Sequence, residues 1–194
     1  MNSKDPKLQV EFTQNNNLKL NLRPLRSKDE QALAKLLLSL SEDTKRFFTY
    51  PSFDQAMAAS LCQDIDKYDK IRFVLENSKN SELIGIFEFS MDLVEEDITR
   101  FRNHGVNLEV ARTSRYGPVL AEAYQGKGIA LVVFKKIIPL ISYLGKDTII
   151  LFGGVHKDNA KAIKHYLSLG FQEVCEFVNS DGIACLDMIY KINP

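Results

Sequence analysis

The chain has 194 residues, a length that fits one domain with a sizeable hydrophobic core. Its 25 lysines and arginines balance its 25 aspartates and glutamates, which argues against a protein that binds nucleic acid through a basic field. The amino terminus lacks an apolar signal core, and the longest apolar stretch is too short to span a bilayer, so we expect a soluble, cytoplasmic protein that binds no membrane.

The hydrophobic pattern predicts an α+β protein. Alternating apolar residues mark strands, and apolar residues three and four apart mark helices. Antiparallel strands come first and two strand–helix crossovers follow, which predicts a mixed, largely antiparallel sheet of about seven strands flanked by helices. In chain order the predicted elements are strand one (18–25), a helix with Ser27 as its N-cap, a helix from Asp54 to about Tyr68, strands two and three (71–77 and 82–91), a short helix within 92–112, strand four (114–121), a helix (129–143), strand five (147–155), a helix (157–170) and two closing strands (171–178 and 184–192).

The domain organisation follows from the same pattern. Residues 1–17 are interpreted as an amino-terminal arm or a first hairpin, and residues 18–194 as a single domain. Residues 92–112 are interpreted as an excursion between strands three and four, in which apolar residues have helical spacing and Gly105 is placed to end the helix.

Cysteines and histidines show no metal-binding pattern. Cys62, Cys175 and Cys185 form no CxxC pair and are odd in number, which favours buried, reduced thiols over disulfides. His104 and His165 stand at no metal-ligand spacing with other ligand types, so we expect no metal site.

The segment AYQGKGIA, residues 123–130, connects strand four to the next helix. Gly126 and Gly128 let the backbone approach a ligand or adopt positive φ, and a helix start favours an anion. By itself the segment fits a plain connection about as well. A P-loop is excluded because glycine, not Ser or Thr, follows Lys127, and Leu131 replaces the third glycine of the dinucleotide fingerprint.

Two motifs resemble those of the GNAT superfamily of N-acetyltransferases. The run QGKGIA matches its Q/R-x-x-G-x-G/A signature, and the later segment DNAKAIKHYLSLGF resembles its second motif. The order of elements from residue 18 to 192 is similar as well. The resemblance implies the GNAT fold, with a sheet splayed between strands four and five. The second motif matches at Asn159, Ala162, Tyr166, Gly170 and Phe171.

The resemblance implies an acetyl-CoA-dependent N-acetyltransferase that passes the acetyl group directly to a primary amine in a ternary complex. Acetyl-CoA is the implied cosubstrate, and Asn159 would bind its pantetheine arm or cap a helix. A backbone N–H at Val119, Leu120 or Ala121 would polarise the thioester carbonyl. The implied pyrophosphate-binding residues are Gln125, Gly126, Lys127, Gly128, Ile129 and Ala130.

Catalysis further needs a proton for the departing thiolate and a base for the incoming ammonium. Tyr166 matches the tyrosine that acts as general acid in many relatives, although a core aromatic is the alternative interpretation. In some relatives a glutamate that can act as the base stands at the position of Gly154 in this chain. Candidate bases are therefore Glu122, which stands where the family often has proline, Glu88 and His156, each with a structural role as its alternative.

The acceptor is left open between a small-molecule amine and a protein amine, and a homodimer is also left open. In the superfamily the acceptor is selected by segments that match residues 27–68, 92–112 and 178–185. A non-catalytic acyl-CoA-binding or regulatory module of the same fold is the alternative, and a nucleotide-binding protein is a third. Four acidic residues of the excursion would attract a cationic amine or merely start a solvated helix, and they are Asp92, Glu95, Glu96 and Asp97.

Overall fold

The computed structural model describes residues 5–14, 17–48, 50–63, 65 and 69–192. These residues form nine strands and six α-helices. The strands are β1 (Val10–Gln14), β2 (Leu18–Pro24), β3 (Lys70–Asn77), β4 (Glu82–Ser90), β5 (Thr113–Leu120), β6 (Thr148–Leu151), β7 (Val155–His156), β8 (Gln172–Val178) and β9 (Ala184–Lys191). The helices are α1 (Glu30–Ser39), α2 (Glu42–Lys45), α3 (Gln55–Gln63), α4 (Glu95–Asn103), α5 (Ile129–Tyr143) and α6 (Ala160–Leu169).

The strands form one mixed sheet, which confirms the predicted fold class. β1 pairs with β2 and β2 with β3, both antiparallel. β5 and β6 are parallel, and β9 is antiparallel to β6, β7 and β8. The strand count exceeds the expected seven for two reasons. Residues 1–17 contribute β1, as the hairpin alternative had it, and predicted strand five is split because Gly153 and Gly154 take left-handed φ of 70° and 72°.

The chain divides into two compact units, each made of two stretches. Unit 1 contains the residues up to Glu88 and Pro118–Lys136, and unit 2 contains Phe89–Gly117 and the residues from Ile137 onward. The interpretation of residues 18–194 as a single domain stays a prediction.

The core of unit 1 lies beneath α1 and α3, and the apolar residues of α1 that stand three and four apart in the sequence face it. Ser27, however, is not an N-cap but the first residue of a 3-10 turn. The carboxylate of Asp29 accepts the Arg26 N–H at 2.8 Å and pairs with Arg23 at 2.6 Å. Asp29, which forms this buried ion pair with the preceding strand, occupies the N-cap position of α1 that the sequence pattern had assigned to Ser27. The core residues are Leu25, Leu33, Ala34, Leu36, Leu37, Leu40, Ala58, Leu61, Cys62, Val74, Leu83, Ile86 and Val119.

Helix α4 confirms the predicted excursion helix and carries Phe101, which is completely buried, into the core of unit 2. We expected the acidic first turn of α4 to be solvated, but one of its carboxylates, that of Asp97, is only 2% exposed. Arg100 bridges this carboxylate at 2.5 Å and the equally buried Asp187 at 2.8 Å. Such a bridge is costly to break, since each partner removed leaves a buried charge behind.

Helices α5 and α6 also follow their predictions, with Pro139 accommodated inside α5. Gly170 ends α6 in a left-handed conformation with φ of 96°, and Tyr166 and Leu169 face inward. Helical spacing alone would place Leu167 on this inner side as well, but this expectation is wrong because the residue is 47% exposed. The three cysteines are buried free thiols, as expected.

Candidate active site

The end of β5 is held by β4 and not by β6. The parallel ladder between β5 and β6 stops at Tyr116 and Leu151, although β5 continues to Leu120. One residue later, the Ala121 N–H donates to the carbonyl oxygen of Ile84 at 2.9 Å. A ladder that ends before its strand does is what a sheet splayed between these two strands requires.

A glycine in β4, which the sequence analysis did not single out, allows this close approach. A Cβ added at Gly85 would lie 3.0 Å from the carbonyl oxygen of Val119 and 3.1 Å from the side chain of Leu120. Both distances are tighter than most real Cβ contacts, so a side chain at this position would require the Val119 carbonyl and the Leu120 side chain to shift by a few tenths of an ångström. A glycine inside a strand often marks such an approach, and this signal was present in the sequence.

A 3-10 turn, Glu122–Tyr124, leads from β5 into the predicted cofactor loop. Gln125 then folds back, and its Nε2 donates to the Leu120 carbonyl oxygen at 2.7 Å. This bond closes the turn upon the strand that precedes it. The loop therefore starts from a fixed position.

The loop has the conformation of an anion-binding helix start. Gly126 and Gly128 have φ of 70° and 73°, and a Cβ on either would meet nothing within 4 Å. The requirement for glycine is therefore one of backbone conformation and not of space. α5 begins at Ile129, and the Val132 N–H makes a 3.3 Å bond to the Gly128 carbonyl. The first N–H groups of a helix have no partner within it and can bind an anion.

The side chain of Lys127 lies beside this loop. Its Nζ is 5.8 Å from the ring centroid of Tyr124, whose hydroxyl donates to Glu82 at 3.2 Å. Burial and the Glu82 charge raise the pKa of Tyr124, so its phenol is neutral at pH 7. The Lys127 ammonium group therefore lies near the face of a neutral ring.

The carboxylate of Glu122 is engaged with another part of unit 1. Its Oε1 accepts the backbone N–H of Ser41 at 2.8 Å and the Ser41 hydroxyl at 2.7 Å. Although burial alone raises it, these hydrogen bonds lower the pKa of Glu122 to about 2. A carboxylate this weakly basic is a poor acceptor for a proton near pH 7.

Glu88 lies buried in β4 between two cations. Arg72 Nε is 2.6 Å from its Oε2, and Lys70 Nζ is 3.1 Å from its Oε1. The hydroxyl of Tyr50 also donates to Oε2, at 3.4 Å, and burial together with the Glu88 charge raises the pKa of that tyrosine. The sequence marked Glu88 as unusual, but it could not reveal these three partners.

His156 and Asn159 lie in unit 2 at the end of β7 and the start of α6. His156 pairs with Cys185 in the ladder between β7 and β9, and its carbonyl accepts the Asn159 N–H at 3.0 Å. The side chain of Asn159 accepts the Ala162 N–H at 3.0 Å. Asn159 is thus the N-cap of α6, which is one of its two expected roles.

Tyr166 is buried within unit 2. Its ring packs edge-on against Phe171, with centroids 5.4 Å apart, and beside His165 at 5.7 Å. Burial raises the pKa of Tyr166 well above its usual value, so the phenol keeps its proton at neutral pH. Tyr116 is also buried, and its burial, with a smaller contribution from the charge of Tyr166, raises the pKa of Tyr116.

The expected site residues are therefore divided between the two units. The loop, the end of β5, Glu88 and Glu122 belong to unit 1, whereas His156, Asn159 and Tyr166 belong to unit 2. Among the described residues, no group of three or more His, Cys, Asp or Glu side chains is arranged to hold a metal ion. In that same part of the chain, no helix combines the length and apolarity that crossing a bilayer requires.

Known structures share this fold over nearly the whole chain, although no protein-family model and no curated protein sequence matches it. The GNAT domain of PAT from S. lividans is 16% identical, with a TM-score of 0.73 over 96% of this chain and 98% of that one. Ribosomal-protein-S5-alanine acetyltransferase from Vibrio fischeri is 19% identical, with a TM-score of 0.69 over 95% and 97%. Spermidine N-acetyltransferase from Vibrio cholerae, in complex with CoA and spermine, is 22% identical, with a TM-score of 0.64 over 89% and 95%. The chain thus has the GNAT fold.

Proposed function

We propose that this protein is an acetyl-CoA-dependent N-acetyltransferase acting on a primary amine. The observation that carries the proposal is the loop at residues 125–130. It joins a strand end to a helix start through two left-handed glycines, in a fold shared with three acetyltransferases. This geometry suits the pyrophosphate of coenzyme A, and the Vibrio cholerae enzyme of the same fold was solved with CoA.

The N–H groups of the loop would hold the pyrophosphate, with Lys127 adding a positive charge. The oxyanion donor can be narrowed to Leu120. The Ala121 N–H is already bonded to Ile84, and N–H groups alternate between the two sides of a strand. The Leu120 N–H therefore points away from β4, on the side that β6 no longer pairs. Gln125 donates to the carbonyl of Leu120, which belongs to the next peptide group, and so would help to fix the backbone of Leu120.

The reaction proceeds by attack of the neutral amine nitrogen on the thioester carbon. A carbon–nitrogen bond forms, and the carbonyl oxygen becomes an oxyanion facing the Leu120 N–H. Collapse of this intermediate breaks the carbon–sulfur bond and expels the CoA thiolate. Tyr166 would give that thiolate its proton and would recover one from the attacking nitrogen, which must lose a proton to become a neutral amide. Its position in the second motif supports this role.

The three candidate bases differ in side chain and in surroundings. Glu122 accepts hydrogen bonds from Ser41 and has a pKa of about 2, and Glu88 is paired with Arg72 and Lys70. His156 is half-buried at the end of β7 and has an imidazole, the side chain that most often acts as a general base in enzymes. We propose His156 as the base on this chemistry, acting directly or through a water molecule.

Release of free CoA thiol from acetyl-CoA tests the proposal. The amines are spermidine, lysine and a peptide with a free α-amino group, which cover the small-molecule and protein classes. We expect turnover with at least one of them and loss of turnover in Tyr166→Phe. Binding of CoA without turnover on any amine would instead support the acyl-CoA-binding module. Thermal stabilisation by ATP or NAD but not by CoA would refute both.

A further inference from the structure

One carboxylate connects the cofactor loop of unit 1 to a helix far from it in sequence. Glu122 and Ser41 are 81 residues apart, yet Glu122 Oε1 accepts both the N–H and the hydroxyl of Ser41. With a pKa of about 2, Glu122 is ionised throughout the neutral range, so both bonds are charge-assisted. One carboxylate oxygen thus joins two segments of unit 1 through two hydrogen bonds.

Ser41 is the N-cap of α2. Its hydroxyl oxygen accepts the Thr44 N–H at 3.2 Å while its proton is donated to Glu122. α2 spans only Glu42–Lys45, and a helix of one turn is not stable on its own. The Ser41 cap helps to hold this turn, and Glu122 binds both polar groups of the capping residue.

The segment after α2 leads to a group of three aromatic rings. Phe48, Tyr50 and Phe53 pack against one another with centroids 5.8 to 6.5 Å apart, and all three lie against the core of unit 1. The hydroxyl of Tyr50 reaches the buried Glu88. Aromatic packing thus holds Phe48, Tyr50 and Phe53 against the core of unit 1, while Glu122 binds Ser41.

On its other side, Glu122 opens the turn that leads directly into the cofactor loop. The turn is held by the Ala121 bond to Ile84 and by the Gln125 bond to Leu120. A bound pyrophosphate that restrains the loop would also restrain this short turn. Because Glu122 belongs to the turn and binds Ser41, the position of Ser41 would be restrained as well.

We propose that Glu122 is a positioning residue that couples occupancy of the cofactor loop to the order of the segment Ser41–Arg46. The inference rests on the proposed function, since it assumes that coenzyme A occupies the loop. Binding of CoA restrains the turn, the turn restrains the carboxylate, and the carboxylate holds the cap of α2.

Hydrogen exchange of the full-length protein with and without CoA tests this coupling. In the wild type, CoA should slow exchange in residues 126–131 and, about fivefold, in residues 41–46, given the strength of charge-assisted bonds at an exposed site. In Glu122→Ala the first protection should persist and the second should disappear. Ser41→Ala should weaken the second in the same way. Glu42→Gln is the matched control, because Glu42 is a carboxylate of α2 that pairs only locally with Lys45, and it should keep both.

The outcomes separate the two proposals. If CoA protects residues 126–131 but not 41–46 in the wild type, the coupling is refuted and the proposed function stands. If CoA protects neither segment, the proposed function is refuted. If Glu122→Ala retains CoA-dependent protection of residues 41–46, the link runs through other residues and the role of Glu122 is refuted.

Discussion

Replacing Gly128 by alanine separates a binding role of the loop from a structural one. Gly128 has φ of 73°, a conformation that costs an L-residue roughly 1–2 kcal/mol. Nothing within 4 Å would resist the added methyl group, so sterics contribute no further cost. In the free variant the backbone at this position can relax to negative φ, the ordinary conformation before a helix. Binding of the pyrophosphate must then restore the left-handed conformation, and the strain lowers the affinity.

We therefore expect Gly128→Ala to weaken CoA binding about five- to tenfold, which corresponds to the ~1 kcal/mol of strain. Its unfolding free energy should change by less than about 0.5 kcal/mol. Gly145→Ala is the matched control. Gly145 also has positive φ and open space around it, but it lies between α5 and β6, where neighbouring bonds such as that from its N–H to Ser142 prevent relaxation. That variant should lose about 1 kcal/mol of stability, or about 2–4 °C in Tm, with unchanged CoA affinity.

Titration calorimetry with CoA measures the affinities, and denaturant unfolding measures the stabilities. Unchanged CoA affinity in Gly128→Ala would mean that the left-handed glycine is not needed by the ligand, and the loop would then be a plain connection. If Gly145→Ala lost as much CoA affinity as Gly128→Ala, the weaker binding would come from a general disturbance of the fold and not from the loop.

Four further outcomes are expected from the same structure. Tyr166→Phe should lower kcat about a hundredfold with CoA affinity within about twofold of wild type, since general acid catalysis contributes on that scale; equal kcat would remove the tyrosine from the mechanism. Phe101→Ala should cost about 3–5 kcal/mol in denaturant unfolding, because this completely buried ring leaves a cavity. Arg100→Met should cost about 3 kcal/mol at pH 7 and less at lower pH, because burial already raises the pKa of Asp97 and the loss of Arg100 removes a cation that lowers it; a pH-independent loss would contradict the charge argument. Because the pKa of Glu122 is lowered from 4.5 to about 2, its stabilising contribution is complete above pH 4.5 and is lost as pH falls toward 2, so wild type and Glu122→Gln should converge in stability over that window.

Patterns confined to neighbouring residues were predicted well. The spacing of apolar residues in α1, α4, α5 and α6 corresponds to helices in the structure, and Gly170 ends α6 as expected. These features depend on periodicity and on the conformational freedom of single residues, which are properties of a short stretch of chain. The same is true of the loop, where the need for glycine at position 128 is a matter of its own φ.

Predictions failed where a distant partner or an unseen neighbour determined the outcome. Ser27 had the sequence of a helix cap, but Asp29 took that place because Arg23 on the preceding strand pairs with it. Leu167 has helical spacing like its neighbours, yet the direction in which α6 packs leaves it exposed. In both cases the local signal was compatible with two arrangements, and packing selected one.

The local order of the chain thus establishes the elements, the loop that suits a phosphate and the type of fold. The environment of each ionisable group comes from tertiary structure alone. Glu88 and Glu122 are equally plausible bases in the sequence, but Arg72 and Lys70 surround the first and Ser41 binds the second. The basicity of a carboxylate depends on charges and donors within a few ångströms, and these come from residues tens of positions away in the chain. No periodicity in the sequence records such contacts, because only the folded sheet and its helices bring them together.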